Sequence, residues 1–170
     1  MKNVYRKLLL EMMSHCRRSD RDLAKTLNIS QPTVTRARQW LEMNGFINEY
    51  TLIPDFSKIG LELVAFTFVK LHVGVSPEKY EEIRRKAKAF LDSNLNVVMV
   101  LRGEGMNCDE IIVSLHRDFS EFTSFMGNLK MEMLDTEVVG NFLASLNVTQ
   151  LRYLTFKHLK NYLKDGENQE

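Results

Sequence analysis

The sequence predicts an α+β chain of two parts, on three observations. Residues 20–47 (DRDLAKTLNISQPTVTRARQWLEMNGFI) read as a short helix, a tight turn, a second helix and a glycine exit. Positive charge is concentrated around the same stretch. Residues 1–53 hold nine Lys/Arg against five Asp/Glu, a net of +4, although the whole 170-residue chain carries only +1. From Leu63 onward, runs rich in β-branched and aromatic residues alternate with helical stripes in the order β-α-β-β-α-β. The expected architecture is an N-terminal winged helix-turn-helix (1–53), a linker (54–62) and a C-terminal ferredoxin-like βαββαβ sandwich with an additional C-terminal helix (63–165).

Each element has its own signal. Val4, Leu8, Met12 and Cys16, widened by Leu9 and Met13, form one face of a first helix over 4–16. Ser19 or Asp20 caps the second helix, which buries Leu23, Ala24 and Leu27. Asn28-Ile29-Ser30 makes the turn. Ser30 caps the third helix, with Pro32 in the first turn, where a missing N–H is harmless. That helix runs from about 31 to 44 on Val34, Ala37 and Leu41. Gly45 suits a left-handed stop. Loose alternation over Phe46–Ile53 predicts a short two-stranded wing, and Pro54, Asp55, Ser57 and Gly60 mark the linker. In the second part, strands are expected at Leu63–Val73, Asn96–Leu101, Glu110–His116 and Thr136–Leu146. A helix follows Pro77 on Tyr80, Ile83, Ala87 and Phe90. Another carries Phe119, Phe122, Met126, Leu129 and Met133, and Gly103–Cys108 is read as a turn. A final helix over 150–164 rests on Leu151, Leu154, His158 and Tyr162.

Composition excludes several classes. Hydrophobic residues make up 44% and charged residues 26%, as in a globular protein rather than a disordered one. Cys16 and Cys108 give neither a disulfide framework nor metal-ligand spacing, and are expected as buried thiols. His15, His72, His116 and His158 have no partners at ligand spacing, so no metal is expected. No apolar run reaches the roughly 18 residues of a membrane span, and no leader pattern opens the chain, so the expected location is the cytoplasm. No phosphate loop, dinucleotide fingerprint, nucleophile–base pair or carboxylate pair is present. Neither a cofactor nor an enzymatic activity is expected.

A helical wheel divides the third helix. Val34, Ala37 and Leu41 share the inner side, whereas Pro32, Arg36 and Gln39 point the opposite way, flanked by Thr33 and Thr35. Arg36 can pair with guanine O6 and N7, and Gln39 with adenine N6 and N7. Thr33 and Thr35 are short enough to touch base edges. Arg38 lies nearer the core and is expected to reach a phosphate, as are Arg17, Arg18, Arg21 and Lys25. A double-stranded DNA partner follows. Two-fold dimers present two such helices about one DNA turn apart, so at least a dimer is expected, joined through the second part.

With these residues in view, the chain resembles the Lrp/AsnC family of archaeal and bacterial transcriptional regulators. The resemblance rests on Asp22-Leu23-Ala24, Ile29-Ser30, Val34, Leu41-Glu42, Gly45-Phe46-Ile47 and Gly60, and on the βαββαβ order of the second part. It implies dimers formed by pairing the sheets of the C-terminal domains, assembling further into octamers. It also implies a small-molecule effector, an amino acid or a related compound, at loops that map to Gly103–Asp109 and Met131–Thr136. Gly103 and Gly105 would offer backbone N–H groups to its carboxylate, and Asp109 would receive its ammonium group. The alternative reading is an architectural, DNA-compacting protein with weak sequence preference and no effector.

Overall fold

The computed structural model describes residues 2–71, 76–148, 154–156 and 158–165. In chain order its elements are α1 (Asn3–Ser14), α2 (Asp20–Leu27), α3 (Gln31–Met43), β1 (Leu63–Leu71), α4 (Pro77–Ser93), β2 (Val97–Gly105), β3 (Cys108–His116), α5 (Phe119–Glu132), β4 (Thr136–Ser145) and α6 (Leu159–Asp165). The expected end of the first strand, His72 and Val73, and the expected start of the last helix at Gln150 and Leu151 lie outside the described residues. The chain divides into two compact units, Met1–Ile53 with Leu151–Glu170, and Pro54–Gln150.

In the first unit, the expected stripes meet in one core. Leu8 and Met12 of α1, Leu23 and Ala24 of α2, and Val34, Ala37 and Leu41 of α3 pack together. The stripe on α1 stops short of its predicted end. The backbone leaves the helix at His15 (φ −162°, ψ 81°), and Cys16 is exposed rather than buried. The two-stranded wing is also absent among the described residues, since 46–53 form no ladder. Instead the Tyr50 hydroxyl donates to Glu42 Oε1 at 2.7 Å, so a side chain anchors this segment to α3. The C-terminal helix, expected as an addition to the sheet domain, contacts α1. Arg6 Nη2 donates to the Leu163 carbonyl at 2.9 Å, and Lys160 Nζ lies 2.6 Å from Glu11 Oε1.

In the second unit, a single 3-10 turn (Ser57–Ile59) ends at Gly60, whose φ of +84° suits glycine. The four strands form one antiparallel sheet in the order β2-β3-β1-β4. This is the arrangement expected of a βαββαβ chain. Ala65, Val69 and Ile112 project from one face into a core with Phe90 of α4 and with Phe122, Phe125, Met126 and Leu129 of α5. Phe119 is not part of it: as the first residue of α5 it is 62% exposed, with its ring 5.9 Å from that of Phe122.

The other face of the sheet is also apolar. One cross-strand row reads Met99, Val113, Phe66, Phe142, and the next Leu101, Ile111, Phe68, Gly140. Phe142, Leu101 and Met99 are among the exposed large hydrophobic residues. Among the described residues, α4 and α5 pack on the opposite side, where Ala65, Thr67 and Val69 of β1 are buried.

The turn between β2 and β3 is shorter than predicted. The strand continues through Gly103, and only Met106 and Asn107, with φ of 51° and 58°, form the connection. Both central residues at positive φ match a type I′ hairpin. Glycine at 103 is tolerated because β2 is an edge strand.

His116 closes the helix-side core. It is fully buried, with Nε2 2.8 Å from Ser114 Oγ and Nδ1 3.2 Å from Asn96 Nδ2. The Asn96 amide N–H donates to Nδ1, so the remaining ring proton sits on Nε2 and points at Ser114. Phe122 and Phe125 flank the ring. Burial pushes its pKa below the ordinary value of 6.5, against the opposing pull of Glu121 and Asp118. The unfolded chain therefore binds a proton more readily than the folded one as pH falls below about 6.5. Stability is expected to be full above that value and to decline as pH drops toward the depressed folded pKa. Denaturant titrations at pH 7.5 and pH 5 should show the loss, and His116→Gln should make it smaller. An identical pH dependence in both proteins would contradict this.

Candidate nucleic-acid interface

The helix-turn-helix is framed by side-chain caps and left-handed exits. Ser19 Oγ accepts the Asp22 N–H at 3.1 Å, and Ser30 Oγ accepts the Thr33 N–H at 3.3 Å. Each cap satisfies a donor that would otherwise lack a partner at a helix start. At the end of α2, Asn28 adopts φ 53°, ψ 49°. The Ile29 N–H donates to the Ala24 carbonyl at 3.0 Å, and the Asn28 N–H to that of Lys25 at 3.3 Å. Gly45 does the same for α3 at φ +70°: the Phe46 N–H donates to Leu41 at 2.9 Å and the Gly45 N–H to Glu42 at 3.1 Å. Both are Schellman exits, which turn the chain sharply without leaving buried carbonyls unpaired.

These ends fix the rotation of α3. Val34, Ala37 and Leu41 are all 0% exposed, while Gln31, Pro32, Arg36 and Gln39 face outward. Arg36 Nε donates to the Pro32 carbonyl on its own helix at 3.3 Å, which directs the guanidinium along the exposed face. Thr33 sits beside Ser30, with the two hydroxyl oxygens 2.7 Å apart. Trp40 stacks between Tyr5 (4.6 Å) and Phe46 (5.3 Å), the packing role that its position off the core centre suggests.

The remaining predicted site residues divide in two. Arg17, Arg21 and Lys25 are exposed around α2. Arg18, by contrast, is held within the protein by Glu11 Oε2 at 3.2 Å, the Asp22 carbonyl at 3.3 Å and the Thr26 hydroxyl. Thr35 and Arg38 are likewise engaged. Thr35 Oγ1 donates to Asp20 Oδ2 at 2.7 Å, and Arg38 donates to Asp20 Oδ1 through Nε at 2.9 Å and Nη2 at 2.7 Å. Arg38 Nη1 is also 3.5 Å from the Tyr50 hydroxyl. Partial burial raises the pKa of Asp20, but the Thr35 hydroxyl and the Arg38 guanidinium outweigh it and hold the carboxyl below the usual carboxylate range.

Sequence reasoning missed Asp20 in this role. In the sequence it is a helix-capping residue, and its partners lie 15 and 18 positions away.

At the β2–β3 hairpin, Gly103 lies within the strand and Gly105 has φ +147° at its end. Asp109 Oδ2 accepts the Leu71 N–H at 2.8 Å, tying the hairpin to the end of β1. Within one chain these three residues therefore do not close an open amide-and-carboxylate cradle. In the other mapped loop, Asp135 pairs with Lys79 of α4 at 3.1 Å.

Residues 6–48 match the family model for winged helix-turn-helix DNA-binding domains. The chain is 35% identical over 85 residues to an HTH-type transcriptional regulator LrpA of Pyrococcus horikoshii, and 34% identical over 85 residues to that of Pyrococcus abyssi. Each match covers 49% of this chain and 57% of the relative, so the chain spans little more than half the length of these relatives. Solved structures extend the likeness across both units. An AsnC family transcriptional regulator from Agrobacterium tumefaciens superposes with a TM-score of 0.71 at 21% identity, over 91% of this chain and 95% of that one. A transcriptional regulator from Neisseria meningitidis in complex with L-methionine gives 0.72 at 16% identity, over 94% and 99%. At those identities the likeness shows the fold.

The chain is thus similar to LrpA regulators over about half its length and shares the fold of an AsnC family regulator across both units. Helix α3 ends on the left-handed exit at Gly45. An added Cβ there would meet no atom within 4 Å, so the cost of Gly45→Ala is the backbone strain alone. That strain is about 1 kcal/mol. Asn28→Gly relieves the same kind of strain and should be neutral or stabilising. Thermal or denaturant midpoints of the two variants should move in opposite directions or leave Asn28→Gly unchanged. A Gly45→Ala variant as stable as the parent would remove the exit from the account.

Proposed function

We propose that this protein is a dimeric, sequence-specific DNA-binding transcriptional regulator of the cytoplasm. The observation that carries the reading is the solvent-facing pair Arg36 and Gln39 on the side of α3 opposite its fully buried stripe. In this reading α3 enters the major groove. Arg36 reads a guanine, Gln39 an adenine, and Thr33 makes a short contact beside them. Arg17, Arg21 and Lys25 bind phosphates. Thr35, Arg38 and Arg18 stay on their protein partners and support the reading surface.

A second copy is proposed to cover the apolar sheet face. A patch of this kind is unusual on a monomer, and a sheet face with no helix on it calls for another layer. Sheet-to-sheet pairing buries Phe142, Met99 and Leu101 and supplies the second recognition helix. Higher even-numbered assembly, up to octamers, is part of the same proposal. So is an amino-acid-class effector, supported by the L-methionine complex of the Neisseria meningitidis protein of the same fold. Its ligands would have to come from more than Gly103, Gly105 and Asp109 of one chain.

The direct test is selection of preferred duplexes from a random pool, with and without a panel of amino acids. Discrete paired sites about one DNA turn apart support the proposal. Uniform recovery of every sequence would favour an architectural role instead. Arg36→Ala should lose about 1–3 kcal/mol of discrimination at one base position. Lys25→Ala should weaken binding to every duplex alike and reduce the salt slope by about one unit. A uniform loss for Arg36→Ala would make that residue a phosphate contact. Phe142→Asp places a charge on the uncovered sheet face. Sedimentation should then show a monomer, with weakened DNA binding. An unchanged dimer would place the interface elsewhere.

A further inference from the structure

We propose that Asp20 determines specificity by negative means: it keeps Arg38 and Thr35 off the DNA, so that the outward face of α3 reads bases without an added indiscriminate phosphate contact. The inference rests on the DNA-binding reading above and goes beyond it, because it assigns a function to an acidic residue within the basic unit.

The geometry is specific. Arg38 directs two donors, Nε and Nη2, at one oxygen of Asp20, while Thr35 Oγ1 takes the other oxygen. Both carboxylate oxygens are therefore engaged by two residues of α3, while Asp20 itself stands at the start of α2. Both charged side chains are about four-fifths covered, with 19% exposure for Arg38 and 22% for Asp20. The other charged or titratable neighbours belong to the same network: Tyr50 approaches Arg38 Nη1, and Tyr50 in turn donates to Glu42. To reach a phosphate, Arg38 would have to leave its carboxylate partner and strand a largely covered charge, which is unfavourable. The guanidinium thus lies on the DNA-facing helix but is neutralised within the protein. Its release would add a contact that all sequences satisfy equally, raising non-specific affinity and lowering the ratio of specific to non-specific binding.

The test compares the full-length wild type, Asp20→Asn, Arg38→Gln and the double variant. Each is titrated over a salt series against a mixed-sequence duplex and against a duplex recovered by selection. Asp20→Asn removes the charge and retains an amide oxygen for Thr35. It should bind the mixed-sequence duplex more tightly, with a slope of log affinity on log salt steeper by about one unit. The ratio between the two duplexes should fall. Arg38→Gln should keep the wild-type slope, and the double variant should return to it. A shallower slope for Arg38→Gln would show that Arg38 already touches a phosphate and would overturn the proposal. So would an Asp20→Asn protein that weakens on both duplexes alike at unchanged slope, the signature of a purely structural clamp. If Asp20→Asn does not fold, the slope of Arg38→Gln alone decides. A wild type with no salt-dependent duplex binding would instead refute the DNA-binding reading itself, and this inference with it.

Discussion

The packing of Val34, Ala37 and Leu41 against Leu8 and Leu23 is the constraint on which the rest depends. These five side chains are fully enclosed. Fully burying a Val or Leu side chain contributes about 1.5–3 kcal/mol, so the stripe holds α3 in one rotational setting. Once that face is turned inward, a helix with 3.6 residues per turn has no freedom left in what it shows outward. Arg36 and Gln39 are presented because Val34, Ala37 and Leu41 are not. The caps at Ser19 and Ser30 and the exits at Asn28 and Gly45 set where each helix begins and ends, and so set the register of that presentation.

A second level of control is polar. The same α3 carries Thr35 and Arg38 at its flank, and Asp20 holds both. Arg18 is taken up by Glu11 and the α2 backbone in the same way. The positive charge of the N-terminal unit is thus not uniform in availability. Arg17, Arg21, Lys25 and Arg36 are presented to solvent, while Arg18 and Arg38 serve the internal structure. A charge tally over residues 1–53 treats all of these alike, yet the exposed group contributes more to a salt-dependent encounter with a polyanion than the two internally paired arginines. The sheet unit shows the complementary pattern. One of its faces is closed by α4 and α5, and the other carries the rows of Phe, Val, Ile, Leu and Met that the proposed second copy would cover.

What was legible in the sequence was local. Capping serines, the Asn28 turn, the Gly45 exit and the inner stripe of α3 are encoded within a few residues of where they act, and all appear as read. The succession of strands and helices along the second unit follows from periodicity and turn spacing for the same reason. What was not legible depended on contacts distant in sequence. Asp20 meets Thr35 and Arg38 only because α2 packs across α3. Residues 46–53 alternate like a hairpin, but Tyr50 is claimed by Glu42. The C-terminal helix looks like an appendage to the sheet until Lys160 is seen against Glu11 of α1. Gly103 resembles a turn residue, but it sits in an edge strand where the missing side chain costs little.

The central claim is that the outer face of α3 lies in the major groove, twice per assembly. Affinity cleavage tests it most directly. A DNA-cleaving reagent is tethered to a cysteine at position 39 in full-length protein whose exposed Cys16 has been replaced by serine. The account predicts two compact cleavage patches on a selected duplex, separated by about 10 base pairs or a multiple of that spacing. The same reagent at position 3, the start of α1, should cut weakly or diffusely. Equal cleavage from both positions, or none from position 39 on a bound duplex, would contradict it.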